Sequence, residues 1–334
     1  MLLHQRGVWG SQKQQLHRGS QSRGLLSIPR SQRHASCKGL VVQALKSSEV
    51  PKPQIMVNSM TGKMGQAVAD ATRRAGLQLV PYTLCASDVA AASKSMTADG
   101  QQIELVGPET RDAVIGAIKE QYPNLIMVDY TVPDVIHSMA DFYVKHGTPF
   151  VMGTTGGDRM RLLCEVDASN VFAVIAPNMG KQIVAFQAMF EQAAASYPGA
   201  FSGYKLRVIE SHQSTKKDTS GTAKAVVASL NDLGLNFDVS QIELVREPKQ
   251  QMEVMRVPES ALGGHAFHTY QLVSEDGSVA FEFKHNVVGR ATYAEGTVDA
   301  CLFLAMQMHL AKELDVPGRT LYNMTDVLRA GAMR

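Results

Sequence analysis

The chain has 334 residues, of which 45% are hydrophobic and 19% are charged, and its formal net charge is +2. This length allows two domains with cores of their own, and the composition is that of an ordinary globular protein. No stretch approaches the ~20 consecutive apolar residues that a membrane-spanning helix requires, so we expect no membrane segment.

The positive charge is concentrated in the first 48 residues, which hold eight lysines or arginines and no acid. The remaining 25 basic and 31 acidic side chains make a mildly acidic body, which argues against a nucleic-acid partner. This N-terminal segment, here called the head, is rich in Ser, Gln and Arg and lacks the apolar h-region of a secretory signal. Its composition predicts an organelle transit peptide over residues 1–50. Val41-Val42-Gln43-Ala44 resembles a plastid processing site, so we expect the chloroplast stroma, with a mitochondrial presequence as the alternative.

The first element after the head is an apolar strand over residues 54–58, followed by the turn Ser59-Met60-Thr61-Gly62-Lys63-Met64-Gly65 and a helix. A strand, a glycine turn and a helix in this order predict the phosphate-binding start of a dinucleotide-binding unit. The glycine pattern typical of such a unit is incomplete, because Ser59 stands where the first glycine is expected.

The residues after this helix bear on the choice of cofactor. Residues 78–84 predict the second strand, and a ribose-binding acid is expected about 20 residues after the turn. None stands there, and Asp88 comes late. This leaves room for a 2′-phosphate that Lys63 approaches, which favours NADPH, with NADH as the alternative.

Three further strands, at residues 125–129, 149–152 and 171–175, alternate with helical stretches at about 110–121, 133–146 and 157–168. This alternation predicts a parallel α/β sheet, whose ligands bind at the carboxyl ends of its strands. Three loops follow these strands: Asp129-Tyr130-Thr131, Gly153-Thr154-Thr155-Gly156 and Ala176-Pro177-Asn178-Met179. We expect them to contact a cofactor, although small and polar residues also suit ordinary turns.

After Gly180 the pattern changes. A helix over about 181–196, a strand over 204–209 and a helix containing 223–230 precede a predicted hairpin around Glu275-Asp276-Gly277. We expect an open, largely antiparallel sheet, which needs a covered face and therefore suggests a homo-oligomer, either a dimer or a tetramer. The last 45 residues predict a helix with one apolar face that returns to the first domain. The expected domains are 51–179, 180–289 and 290–334.

Residues 208–224 join strand to helix and carry most of the candidate chemistry. The helix start at Gly221 and Thr222 can hold a carboxylate with backbone N–H groups, and Lys216 can hold a second anion. His212 can exchange a proton with a group between them. A capped helix after a solvated turn is the alternative.

Other candidates are weaker. His137, His146 and His309 lie in helix patterns, whereas His265, His268 and His285 lie in or beside strands. The chain has no H-E-x-x-H pattern and no C-x-x-C, so we expect no metal site. Glu210 and Asp218 are either an acid–base pair or orienting groups. Arg290 is either a substrate or domain-interface contact or a surface residue.

Four motifs together resemble the 4-hydroxy-tetrahydrodipicolinate reductase family in its plant and algal form, over about residues 53–334. They are E-S-H-Q-S-T-K-K-D-T-S-G-T-A at residues 210–223, N-S-M-T-G-K-M-G, G-T-T-G and A-P-N-M-G-K. The resemblance implies a Rossmann-type parallel-sheet domain, an α+β substrate and oligomerisation domain with an open mixed sheet, and a C-terminal segment that returns to the first domain.

The resemblance also implies roles for residues. His212 corresponds to the family's proton donor or acceptor, Lys216 to its proton-donating lysine, and Gly221 with Thr222 to its carboxylate cradle. Gln213 stands where bacterial members usually have a second histidine, and it can still donate a hydrogen bond to substrate. The implied cofactor-binding residues are Ser59, Met60, Thr61, Gly62, Lys63, Met64, Gly153, Thr154, Thr155, Ala176, Pro177, Asn178 and Met179.

The implied reaction is hydride transfer from NAD(P)H to a cyclic dicarboxylate with loss of its hydroxyl as water, in lysine biosynthesis through diaminopimelate. Two anion-holding groups around an imidazole suit such a substrate, and a nicotinamide domain supplies the hydride. Two alternatives stay open. One is another two-domain dehydrogenase, of the homoserine or sugar type, and the other is a non-catalytic NADPH-binding sensor.

Overall fold

The structure is a computed structural model that describes residues 50–315, 318–331 and 334. The predicted transit peptide therefore lies, except for its last residue, outside the described residues. In chain order the first part contains β1 (Gln54–Asn58), α1 (Lys63–Arg74), β2 (Gln78–Leu79), β3 (Tyr82–Leu84), α2 (Ser87–Ala92), β4 (Ser95–Ala98), β5 (Gln101–Val106), α3 (Arg111–Gln121), β6 (Leu125–Asp129), a 3₁₀ turn (Pro133–Val135), α4 (Ile136–Lys145), β7 (Phe150–Met152), α5 (Arg159–Asp167) and β8 (Ala173–Ile175).

The second part contains α6 (Lys181–Ser196), β9 (Lys205–His212), α7 (Gly221–Asp232), a 3₁₀ turn (Val239–Gln241), β10 (Glu243–Val245), α8 (Pro248–Glu253), a further 3₁₀ turn (Glu259–Ala261), β11 (His265–Val273) and β12 (Ala280–Val288). The chain then forms α9 (Ala291–Leu314), β13 (Leu321–Tyr322) and α10 (Met324–Arg329).

The main sheet has six parallel strands in the order β13-β8-β7-β6-β1-β2. Its central strands are buried along their whole length, as strands covered by helices on both faces must be. This confirms the predicted Rossmann-type sheet. Because all strands run the same way, the loops after β1, β6, β7 and β8 meet at one edge.

The prediction of one strand over residues 78–84 was wrong. The segment divides at Pro81, which has no N–H for a ladder: β2 pairs with β1, while β3 joins a separate sheet in the order β3-β5-β4. The β4–β5 hairpin of that sheet was not predicted, although its turn is Asp99-Gly100, with both residues at positive φ. Aspartate followed by glycine is a hairpin signal, and it was overlooked.

The second sheet is mixed, in the order β10-β9-β11-β12. β11 runs antiparallel to β9 and β12, and β10 runs parallel to β9. One face is covered by α6 and α7 through a core that includes Phe190, Val208, Val226 and Tyr270. The open mixed sheet of the second domain is thereby confirmed.

The C-terminal segment contacts the first sheet at two places. β13 adds the sixth strand beside β8. α9 packs against the loop that follows β8, since a Cβ on Gly296 would lie 1.7 Å from the carbonyl oxygen of Met179. Only glycine allows this approach, which fixes the loop after β8 against α9.

Candidate active site

The turn after β1 has the shape of a phosphate-binding turn in spite of its serine. Ser59 has a φ of +57°, in the left-handed region that glycine adopts without strain and other residues adopt at a cost of about 1–2 kcal/mol. A Cβ on Gly65 would lie 2.5 Å from the carbonyl oxygen of Ser59, so α1 can start this close to the strand only with glycine there. The amides of residues 63–65 donate to no acceptor within the described chain. These amides and the helix dipole fit the pyrophosphate of a dinucleotide.

A buried polar network supports the same edge of the sheet. Asn58 donates to the hydroxyl of Tyr143 at 2.8 Å, and that hydroxyl donates to Asp129 at 2.6 Å. The other carboxylate oxygen of Asp129 accepts from the hydroxyl of Thr154 at 2.9 Å. Asn58, Asp129 and Tyr143 are all inaccessible to solvent. This network fixes the ends of β1, β6 and β7 relative to one another.

The predicted cofactor-binding residues differ in what they expose. The side chains of Met60, Thr154, Ala176 and Met179 are buried in the protein, so only their backbone can face a ligand. Thr61, Gly62, Lys63, Thr155 and Pro177 are exposed, and Ser59, Met64 and Asn178 are half-buried. Gly153 is buried against the ring of Tyr130, which a Cβ at this position would meet at 2.4 Å.

A cleft of about 990 Å³ separates the loops of the first sheet from the amino end of α7. Its lining includes Thr155, Gly156, Ala176, Pro177 and Asn178 on one side and Lys216, Ser220, Gly221, Thr222 and Lys224 on the other. Asn323, Met324 and Thr325, at the start of α10, also line it, which no pattern in the sequence indicated. The cleft is large enough for a small cyclic substrate beside a nicotinamide.

The amino end of α7 faces this cleft. The amide of Ser220 donates to both carboxylate oxygens of Glu210, at 3.0 and 3.3 Å, which fixes the helix start against β9. A Cβ built on Gly221 meets no atom within 4 Å, so the backbone there borders open space. The amides of the first turn are therefore accessible from the cleft, as an anion-binding helix end requires.

His212 is the last residue of β9, which corrects the prediction that the strand ends at residue 209 and that His212 lies in a turn. Its side chain is 7% exposed, and its carbonyl accepts a hydrogen bond of 2.7 Å from the buried Gln251. Burial, followed by the positive charges of Arg246 and Lys216, lowers the pKa of His212 to about 3. The imidazole is therefore neutral at neutral pH.

Arg246, which the sequence analysis overlooked, organises the segment between β9 and α7. Its guanidinium lies 2.5 Å from a carboxylate oxygen of Glu210 and donates to the backbone carbonyls of Glu210, Lys216 and Asp218, at 3.2, 2.7 and 3.3 Å. The planar fork of arginine can make such contacts together, and lysine cannot. No pattern in the sequence marks this residue, because the contact depends on how β10 pairs with β9.

Lys216 borders the cleft, and its ammonium group lies 2.8 Å from the exposed carboxylate of Asp218. Glu210, by contrast, is inaccessible and pairs with Arg246. The two acids therefore have separate partners, Lys216 for Asp218 and Arg246 for Glu210. Gln213 is half-buried, and its carbonyl accepts from the amide of Lys216 at 2.9 Å.

The structure also brings together Glu210, His212 and His268, whose donor atoms lie within 4.8 Å of one another. Such a grouping can in principle hold a metal ion, and no spacing in the sequence indicated it. Arg246 already neutralises the Glu210 carboxylate, and its positive charge opposes a divalent cation at this place.

Arg290 lies outside the cleft lining. It is the half-buried N-cap residue of α9, and one terminal nitrogen of its guanidinium lies 3.5 Å from the position of a Cβ on Gly264.

Among the described residues, no helix is both long and apolar enough to cross a membrane.

Comparison with known proteins agrees with this architecture. The family model for the N-terminus of dihydrodipicolinate reductase matches residues 53–179, and the model for its C-terminus matches residues 182–328. The chain is 51% identical over 280 residues to 4-hydroxy-tetrahydrodipicolinate reductase 2, chloroplastic, of Arabidopsis thaliana, which covers 84% of this chain and 78% of the relative. It is 49% identical over 299 residues to the probable reductase 1, chloroplastic, of Oryza sativa subsp. japonica, which covers 88% and 85%.

Among solved structures, the fold is similar to that of the dipicolinate-bound dihydrodipicolinate reductase from Paenisporosarcina sp. TG-14. The TM-score is 0.56 at 18% sequence identity, over 82% of this chain and 98% of that one. At this identity the likeness concerns the fold alone.

Proposed function

The chain belongs to the dihydrodipicolinate reductase family, and from this premise we propose that His212, Lys216 and the amino end of α7 form its substrate site. The enzyme reduces 4-hydroxy-tetrahydrodipicolinate to tetrahydrodipicolinate with loss of water, a step in lysine biosynthesis through diaminopimelate. The family assignment leaves the homoserine or sugar dehydrogenase and the NADPH-binding sensor without support.

The observation that supports the proposal is the lining of the cleft, in which Lys216 and the amino end of α7 stand opposite the loops of the first sheet. The ammonium group of Lys216 holds one carboxylate of the substrate, and the amides of Gly221 and Thr222 hold the other. Gln213 donates a further hydrogen bond. Two anchors at fixed separation orient a dicarboxylate and discriminate against a monocarboxylate.

The cofactor, when bound, supplies a hydride from its nicotinamide ring. The turn at Ser59, Met60, Thr61, Gly62, Lys63 and Met64 holds the pyrophosphate, and the loops Gly153–Thr155 and Ala176–Met179 border the nicotinamide. We propose NADPH as the preferred cofactor, because Lys63 is exposed at the first position of α1 and no acid follows β2 where a free ribose would be bound.

Replacement of a hydroxyl by hydride, with the hydroxyl leaving as water, consumes one proton. Before substrate binds, His212 is neutral and cannot act as an acid. Lys216 is therefore the first source of this proton. A bound dianion adds negative charge beside Arg246 and Lys216, and this raises the pKa of His212 from its low resting value. His212 can then take up a proton and return it during the reaction.

The test is His212→Gln, assayed with freshly generated substrate while the loss of NADPH and of NADH is followed in parallel. An acid–base group contributes ~10²–10⁴-fold, so kcat should fall by about that factor while cofactor affinity stays nearly unchanged. A variant with kcat close to that of the wild type would remove His212 from the mechanism.

The remaining assignments are also proposals. Residues 1–50 act as a plastid transit peptide, supported by their composition and by the chloroplastic relatives. Residues 51–179 form the cofactor domain, residues 180–289 the substrate and oligomerisation domain, and residues 290–334 a returning segment. A homo-oligomer is supported by the open sheet, whose edge strand β12 exposes Phe281 and Val288.

A further inference from the structure

The second histidine of the site, His268, lies on the strand next to His212. In the antiparallel register of β9 and β11, Ala266 stands opposite His212 and His268 opposite Glu210. The Nε2 atoms of the two histidines are 3.3 Å apart, and their rings meet edge to face at a centroid distance of 5.0 Å. Between two neutral rings, one nitrogen must carry the proton and the other must accept it.

Two observations decide which ring donates. A carboxylate oxygen of Glu210 lies 3.7 Å from Nε2 of His268, and this negative charge favours a proton on that nitrogen. Nδ1 of His268 is buried and has no partner among the described residues, so a proton placed there would be an unsatisfied donor.

We propose that His268 donates its Nε2–H to Nε2 of His212 and thereby holds His212 in the tautomer whose proton is on Nδ1. The inference rests on the proposed role of His212, through which His268 acts as a positioning residue. The consequence is that the basic nitrogen of His212 is Nε2. A proton that His212 takes up goes to this Nε2, which can then no longer accept from His268, and the Nε2–H of His268 is left to the Glu210 carboxylate at 3.7 Å.

The groups around His268 keep it a neutral donor. His212 and Glu210 face it from β9, His285 stacks on it from β12 at 4.4 Å, and the ring of Tyr270 lies beyond at 6.4 Å. Burial is the first cause that lowers the pKa of His268 well below its usual value, and the positive charges of Arg246 and Lys216 act in the same direction. His268 therefore keeps one N–H across the neutral range.

The kinetic test compares three variants. His268→Phe keeps an aromatic ring beside His285 but removes the donor, whereas His268→Gln places an amide N–H near the position of Nε2. Loss of a positioning hydrogen bond should lower kcat about 10- to 100-fold in the phenylalanine variant, with KM for substrate and cofactor affinity nearly unchanged. The glutamine variant should recover most of that loss. The matched control is His285→Phe, which replaces the ring that stacks on His268 from β12. It should change kcat less than about 3-fold.

The spectroscopic test reads the tautomer directly and needs no activity. In the ¹⁵N spectrum of histidine-labelled enzyme, the His212 signals are those that disappear in His212→Gln. The wild type should show His212 with Nδ1 protonated and Nε2 bare, and His268→Phe should shift it toward the other tautomer. An Nε2–H tautomer in the wild type, or an unchanged tautomer and kcat in His268→Phe, would overturn the inference. Full activity of His212→Gln would instead overturn the proposed function and leave the tautomer result standing.

Discussion

The side-chain amide of Asn178 lies 3.3 Å from the hydroxyl oxygen of Thr222 and donates a hydrogen bond to it across the cleft. Asn178 belongs to the loop after β8, and its side-chain oxygen Oδ1 accepts from the amide of Gly180 at 2.8 Å. Thr222 is the second residue of α7. One contact thus joins the loop after β8 to the start of α7 across the cleft.

The first prediction concerns this contact. Thr222→Val keeps the shape of the side chain and removes the hydroxyl, which costs one hydrogen bond of about 0.5–1.5 kcal/mol. KM for the substrate should rise by about 2- to 12-fold, as measured by initial rates at saturating cofactor. Thr222→Ser, which keeps the hydroxyl, is the control and should resemble the wild type. Equal KM values for the two variants would show that the hydroxyl has no role.

The second prediction concerns the two anchors for the substrate. Lys216→Ala removes one charge-assisted contact, worth ~1.5–3 kcal/mol, so binding of pyridine-2,6-dicarboxylate should weaken about 10- to 150-fold. The inhibitor should compete with substrate on the wild type, and kcat should fall in the variant as well. Lys217→Ala is the matched control, because Lys217 is exposed and absent from the cleft lining. If a monocarboxylate analogue inhibits as strongly as the dicarboxylate, the site has only one anchor.

The third prediction separates the two cofactors. If Lys63 faces the 2′-phosphate, Lys63→Ala should weaken NADPH binding far more than NADH binding, since only NADPH loses a charge-assisted contact. Fluorescence titration of each reduced cofactor measures both constants, and Lys52→Ala, at an exposed position before β1, serves as the control. Equal weakening of both cofactors would place Lys63 at the pyrophosphate.

The fourth prediction contrasts a buried ion pair with an exposed one. Glu210 is inaccessible and pairs with Arg246, so Arg246→Met should destabilise the protein by roughly 3–5 kcal/mol, because it leaves a buried carboxylate without its cation. Arg207 makes two hydrogen bonds to Glu243, but both side chains are about half exposed, and Arg207→Met should cost at most about 1 kcal/mol. Urea unfolding measures both. Similar losses of stability in the two variants would mean that burial does not determine the cost of breaking the ion pair.

The fifth prediction is a dependence of stability on pH. Burial lowers the pKa of His212 to about 3 and that of His285 to about 4, and it lowers the pKa of His268 as well. Their ordinary pKa, ~6.5, applies in the unfolded chain, so the unfolded state binds more protons at mildly acidic pH. Stability is therefore complete above about pH 6.5 and declines as the pH falls toward these folded-state values, by up to about 1.4 kcal/mol per pH unit for each histidine.

Urea unfolding at a series of pH values checks this dependence, and His285→Phe should reduce the slope by up to one proton. A stability that rises on acidification over this range would contradict the assignment of buried neutral histidines.

Elements whose signals are local could be predicted from the amino-acid sequence. The apolar strands after residue 53, the helix at Lys181–Ser196 and the hairpin at Glu275-Asp276-Gly277 follow from periodicity and turn chemistry. The rule that ligands bind at the carboxyl edge of a parallel sheet also predicts that the loops after β1, β6, β7 and β8 lie at one side of the sheet. The start of α7 was predictable as well, because residues that begin a helix are recognisable in the sequence.

Which side chains meet inside the site depends on how distant strands pair, and this could not be predicted from the sequence. Arg246 reaches Glu210 from 36 residues away because β10 pairs with β9, and His268 reaches His212 from 56 residues away because β11 pairs with β9 on its other side. Strand register sets both contacts, and a shift of one residue would turn these side chains to the opposite face. The low pKa of His212 has the same origin, because burial and a distant guanidinium produce it and neither is visible along the chain.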